Sequence, residues 1–181
     1  VRDRAREMGL VVADKPESMD LCFVPKGESY RRFLESRGLT PAAGDGEIVD
    51  TGGRVLGRHD GVAGFTVGQR KGLGVSADRR LYVVAIDEPS RRVVVGGDDD
   101  LWRESCTIER VRWIPFERPA GDVRATVRIR STHEGSPATI RDHGDGTAEI
   151  RFDEPQRAVT PGQAAVAYDG DLVLGGGWIS P

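Results

Sequence analysis

Cysteine is scarce in this chain. There are two, Cys22 and Cys106, and no CxxC pair. That argues against a disulfide-framed fold and a cysteine zinc site, and makes the cytoplasm the expected compartment. A single bridge between the two stays open at this stage. Histidine is almost as rare. His59, His133 and His143 fall in turn-like contexts at no ligand spacing, so they read as structural or surface residues and no metal is expected. No apolar run is long enough to span a bilayer. The opening VRDRAREMGL is charged and amphipathic, unlike a signal peptide. It starts with Val, so the chain is expected to begin inside a longer protein, at a helix that belongs to something upstream. There is no GxxxxGK[ST] loop, no strand and helix framing a GxGxxG, and no legible Ser/His/Asp arrangement.

What the chain does hold is turn-forming residues and short apolar alternations. With 24 Gly and 10 Pro it favours short strands and tight turns over long helices. Hydrophobic residues are 38% and charged residues 30% of 181, a composition for a soluble globular chain of one medium or two small domains. Residues 2–9 read as the end of a helix stopped by Gly9. Residues 28–37 have helical spacing, with Tyr30, Phe33 and Leu34 on one face and Gly38 as a left-handed cap. The period then changes to two. GEIVD and RVLGRH form one predicted hairpin, LYVVAID and RVVVGG another, with a short helical turn and an exposed loop between them. From TIERVRW to LVLGGGWI, six more strand-like segments alternate with turns, which suggests a small antiparallel barrel of six or seven strands. The expected fold is mainly β (α+β), with segments 1–27, 28–100 and 101–181 and the last boundary near residues 97–104.

Three features bear on chemistry. Cys22 sits in SMDLCFVP, where Leu21, Phe23 and Val24 favour a small buried hydrophobe in a short strand over a reactive thiol. The loop TVGQRKGLG combines glycines, which allow close backbone approach, with Arg70 and Lys71, which can donate to phosphate. Residues 54–92 hold eight basic and four acidic side chains, an excess of four positive charges on a chain of net charge −3. Such a face can bind phosphate or be ordinary solvated surface. Arg124, Arg128 and Arg130 recur at even spacing, so one strand would place them on one side. That is either an RNA-phosphate track or a solvated barrel wall.

Taken in order, SMDLCFVP, GEIVDTGGRVLGRHDGVAGFTVGQRKGLG and FDEPQRAVTPGQAAVAYDGDLVLGGGWI resemble the C-terminal half of the bacterial tRNA-specific 2-thiouridylases, over nearly all of the chain. The resemblance implies a small central domain and a C-terminal barrel similar to domain 2 of elongation factor Tu. It also implies a preceding nucleotide-binding domain, which uses ATP with magnesium to adenylate the 2-oxygen of the wobble uridine. The SGGxDS loop of that domain occurs nowhere in this sequence, so the ATP site is expected outside the chain, which is expected to be inactive alone.

Cys22 matches the family's S-x-x-x-C-F motif, and the resemblance makes it the persulfide carrier. Its sulfur would attack the adenylated C2 and expel AMP. An upstream cysteine, which Cys106 does not match, would then form a disulfide with Cys22 and free the thiolated base. Gln163, in TPGQ, matches a tRNA contact. Arg130-Ser131 matches a tRNA-contacting pair that is often Arg-Tyr, so Ser131 departs from the pattern by lacking the ring. Implied partners are tRNAs for lysine, glutamate and glutamine, and a sulfur-relay protein or a cysteine desulfurase as persulfide donor. The loop at 11–28 is expected to be mobile without its upstream partners. The rival reading is a non-catalytic RNA-binding or translation-factor-like barrel, which would not need Cys22. A methyltransferase ranks last, for want of a glycine-rich cofactor loop after a strand.

Overall fold

The computed structural model describes residues 2–11, 14, 24–25, 27, 32–33, 36–38 and 43–180. The chain divides into two units, Val1–Thr40 and Pro41–Pro181. In the first, α1 is Arg2–Glu7, braced by Arg4–Glu7 and Arg6–Asp3 ion pairs at 2.9 Å. Gly9 ends it at φ +65°, with Leu10 N–H donating to the Ala5 carbonyl and Gly9 N–H to that of Arg6, the paired bonds of a Schellman cap. Of the second predicted helix, Arg32, Phe33 and Ser36 are described and helical. Phe33 is buried beneath the Arg37 guanidinium at 5.0 Å, and Gly38 is left-handed at φ +64°. Cys22 lies outside the described residues. So do Tyr30, Leu34 and most of the 11–28 loop, and of the expected LCFV strand only Val24 is described.

The second unit opens with a four-stranded sheet. β1 (Ala43–Asp50) and β2 (Val55–Gly61) form one hairpin, β3 (Tyr82–Asp87) and β4 (Arg92–Gly96) another. Asp50 organises the first turn, its Oδ1 accepting from the Gly52 and Arg54 amides at 3.0 and 2.9 Å. The order is β2-β1-β4-β3, so the hairpins meet through a parallel β1–β4 pair. Ile48, Val83, Val93 and Val95 are fully buried in this core. The connection between β2 and β3 caps them with Val62, Leu73 and Leu81, after a single 3-10 turn at Val62–Gly64. Its apolar residues anchor the glycine-rich loop to the sheet, which leaves Arg70 and Lys71 outside.

His59 corrects the turn-like reading. It lies in β2, 8% exposed, with its ring edge-on to Phe65 at 5.1 Å. Nδ1 accepts from the Gly61 amide at 3.0 Å, so Nε2 carries the proton and donates to the Arg91 carbonyl at 3.2 Å. Both nitrogens are thus used in packing the hairpins.

A 3-10 turn at Asp99–Leu101 leads into a closed six-stranded antiparallel barrel. Its strands are β5 (Trp102–Trp113), β6 (Val123–Arg128), β7 (Ser136–Asp142), β8 (Thr147–Arg157), β9 (Ala164–Asp169) and β10 (Leu172–Ile179). Around the barrel they run β10-β5-β8-β7-β6-β9. Large and small residues interleave inside: Ile108, Ile140 and Ile150 with Ala138, Ala148, Ala165 and Ala167. Gly176 lets β10 approach β9, since a Cβ there would collide with the Ala165 carbonyl oxygen. The chain is mainly β, as expected, and the barrel takes the lower of the two strand numbers.

Candidate nucleic-acid interface

The pairing of β6 with β9 and of β9 with β10 brings three chain segments to one side of the barrel. Arg128 ends β6, and Arg130 and Ser131 follow it. Gln163 lies in the turn before β9, held where Gly162 takes φ +80°. Trp178 stands near the end of β10. Two bonds fix the turn against that strand: the Gly162 amide donates to the Ile179 carbonyl at 2.9 Å, and the Ile179 amide to the Gln163 carbonyl at 2.8 Å. The result is an open cavity of about 460 Å³ lined by Arg128, Arg130, Ser131, Gln163, Tyr168 and Trp178, among others. Three residues singled out in the sequence, Arg130, Ser131 and Gln163, therefore share one site.

No described carboxylate neutralises the cations of this site. Among the described residues neither Arg128 nor Arg130 pairs with a carboxylate. Arg128 lies over the Tyr168 ring at 5.1 Å, and Arg130 donates to the Arg157 carbonyl at 3.1 Å. Behind them, the His133 Nδ1 accepts from the Ile129 amide, and its Nε2–H donates to Gln156 Oε1 at 3.0 Å. Gln156 passes the chain on to Ser136 Oγ at 2.9 Å. This network sets the turn that carries Arg130 and Ser131, and it makes His133 a structural residue.

Arg124 does not extend the track. Its side chain is exposed on the same side of β6, but it grips Asp153 of β8 with two bonds of 2.7 Å and Thr139 with a third of 2.9 Å. That pair holds the Asp153 carboxyl below its ordinary range, chiefly through the side-chain hydrogen bond. Its charge is therefore spent within the barrel wall.

Arg70 lines a second, smaller cavity of about 330 Å³ with Arg79 and Arg80. Lys71 is exposed in the same loop but does not line it. None of the four forms an ion pair among the described residues. The loop owes its shape to Gln69. The side-chain oxygen of Gln69 accepts from the Thr66 amide at 3.0 Å, and its amide nitrogen donates to the Lys71 carbonyl at 2.9 Å. The Gly68 amide and the Gln69 carbonyl also bond both backbone groups of Val83. Gln69, Tyr168 and Trp178 went unnoticed in the sequence. Only Gln69, central in a glycine-rich motif, had a local signal.

Cys106 is a free, half-buried thiol on β5. Burial pushes its pKa up to about 12, so it is a packing residue and no nucleophile. Among the described residues no group of His, Cys, Asp and Glu could hold a metal ion, and no helix is long and apolar enough to cross a membrane.

Comparison with known proteins accounts for both parts of the second unit. A family described as "tRNA methyl transferase PRC-barrel domain" matches residues 31–97, and one described as "Aminomethyltransferase beta-barrel domain" matches residues 103–179. The chain is 52% identical to the tRNA-specific 2-thiouridylase MnmA of Solibacter usitatus, over 99% of this chain and 50% of that protein. It is 49% identical to that of Acidithiobacillus ferrooxidans, over 99% of this chain and 51% of the relative. A third, from Trichormus variabilis, is 49% identical over 97% and 49%. The chain belongs to the tRNA-specific 2-thiouridylase family, and it spans about half the length of the curated relatives it matches.

Proposed function

We propose that this chain is the tRNA-gripping and sulfur-carrying part of an enzyme that 2-thiolates the wobble uridine of tRNA. The observation that carries the reading is the cavity that gathers Arg130, Ser131 and Gln163 beside Arg128, with no carboxylate among the described residues on either guanidinium. Unpaired guanidinium groups on a chain of net charge −3 suit phosphate, and phosphate contacts position an RNA. Arg70 and Lys71, on the loop stapled by Gln69, would contact the RNA backbone elsewhere. The tRNAs proposed are those for lysine, glutamate and glutamine.

The chemical step is proposed for Cys22. A persulfide sulfur on its Sγ attacks C2 of a uridine activated at its 2-oxygen, and the C2–O bond breaks. A second cysteine, not in this chain, then attacks Cys22 Sγ. The new disulfide forms as the bond to the transferred sulfur breaks, and the base keeps that sulfur with its electron pair. The persulfide donor would be a sulfur-relay protein or a cysteine desulfurase. ATP with magnesium would supply the activation. Its site is proposed to lie outside this chain, whose sequence carries no SGGxDS loop. The 181-residue chain alone is accordingly expected to be inactive, and to act in the cytoplasm as part of a longer enzyme. Methyl transfer fits less well, for want of a glycine-rich cofactor loop after a strand, and the curated relatives are named for thiolation.

The test uses the full-length enzyme with ATP, a persulfide donor and tRNA. Cys22→Ser is expected to abolish 2-thiouridine while adenylation persists, and Arg130→Ala with Gln163→Ala to raise KM for tRNA. Thiolation that survives Cys22→Ser would return that residue to a packing role and leave an RNA-binding module.

A further inference from the structure

Trp178 is a large ring left uncovered in a charged cavity. It is 48% exposed, whereas the next residue, Ile179, is 3% exposed in the barrel core. Its cross-strand neighbour on β9 is Ala164, whose methyl group covers little of an indole. Among the described residues the Trp178 side chain makes no hydrogen bond, ring contact or cation contact. The other ring of the cavity, Tyr168, already lies beneath the Arg128 guanidinium. Beside Trp178, the Gln163 side-chain amide is exposed and makes no hydrogen bond among the described residues. Its backbone is pinned to Ile179, so the two residues stay side by side and the amide remains within reach of the cavity that Trp178 lines. Ser131, being small, leaves the opposite side of the cavity clear.

These groups match the parts of a nucleotide. An indole offers a face for base stacking. A primary amide offers a donor and an acceptor to a base edge. Arg128 and Arg130 offer charge to the flanking phosphates. The volume, about 460 Å³, falls in the ~300–1,000 Å³ range of small-ligand sites. We propose that the cavity takes one unstacked nucleobase of the bound RNA, stacked on Trp178 with its edge read by Gln163. This rests on the tRNA reading above and adds which chemical part of the RNA enters the barrel and which ring receives it. A paired, stacked base presents no free face, so the site selects a looped or flipped nucleotide.

The experiment titrates the 181-residue chain with an unmodified tRNA transcript at several salt concentrations, comparing wild type with Trp178→Ala, Trp178→Phe and Arg130→Ala. Trp178→Ala is expected to weaken binding about tenfold, and Trp178→Phe by less, because a smaller ring still stacks. Neither should change the slope of log K against log salt, whereas Arg130→Ala should make it shallower by just under one. Indole emission should be quenched by the transcript in wild type, and that quench should vanish in Trp178→Phe, which keeps Trp102 and Trp113. Wild-type affinity in Trp178→Ala, as for an indole that seats a protein instead, overturns the stacking role and leaves the tRNA reading standing if Arg130→Ala still binds weakly. No affinity of the wild-type chain for the transcript overturns both. Should Trp178→Ala fail to fold, the quench in wild type against Trp178→Phe decides alone.

Discussion

Arg157 ties the barrel to the four-stranded sheet, and removing its side chain should cost a calculable amount. Its Nε and Nη2 both donate to Asp98 Oδ1, at 3.1 and 2.7 Å. The two side chains are 37% and 50% exposed, so solvent screening holds the ion pair to about 0.5 kcal/mol. The guanidinium also lies 5.2 Å from the Tyr82 ring centroid, a cation–π contact of about 0.5–1 kcal/mol. Arg157→Ala should therefore destabilise by about 1–1.5 kcal/mol, or about 3–5 °C in Tm for a unit of this size. Asp98→Asn should cost only about 0.5 kcal/mol, and its effect should fade in 1 M salt, where the Debye length is about 3 Å. Arg157→Lys keeps the charge without the planar group and should fall between. Urea unfolding with the Arg157/Tyr82 double-mutant cycle measures the ring contact directly. A coupling near zero, or Asp98→Asn costing as much as Arg157→Ala, would refute the assignment of most of the stabilisation to Tyr82.

Three further outcomes are expected. Gly176→Ala should destabilise by about 2 kcal/mol or more, because its Cβ would meet the Ala165 carbonyl oxygen and neither backbone can retreat; a fall in the denaturation midpoint checks this. Cys106 should resist a thiol reagent at pH 8 in the folded chain and react on unfolding, since its thiol is raised to about 12 by burial. Asp122 and Asp153 are held below the ordinary value of 3.8, mainly by hydrogen bonds from Arg141 and Arg124. Their contribution is thus present above that value and lost as pH falls through the lower folded values. Asp122→Asn and Asp153→Asn should flatten the acid side of a Tm–pH profile, below about pH 4.

Element type was legible where a single strand carries its own signal. Even spacing in DVRATVRIR put Arg124, Arg128 and Arg130 on one side, and all three are exposed, with Val127 and Ile129 buried between them. Partnership was not legible, because sheets pair residues across distance. Nothing near Arg124 announces Asp153, 29 positions away, and so a salt-bridged arginine was read alongside two that meet no described carboxylate. His59 failed for the same reason: its acceptor is the Arg91 carbonyl, 32 positions on. The cavity is an extreme case, assembled from the end of β6, the turn before β9 and the end of β10. Family resemblance named Arg130, Ser131 and Gln163, whereas Tyr168 and Trp178 emerged only when those segments met. Cys22, named by the same resemblance, lies outside the described residues.

The order of strands has a consequence for synthesis. β10 is the last barrel strand in the chain, yet it closes the ring between β9 and β5. Until residues 172–179 leave the ribosome, a nascent barrel presents two bare edges, one on its first strand and one on its fifth. Unpaired edges invite pairing with other chains. A chain interrupted before Leu172 would be a candidate for aggregation and clearance, so the small glycine-rich strand acts as the latch on vectorial folding.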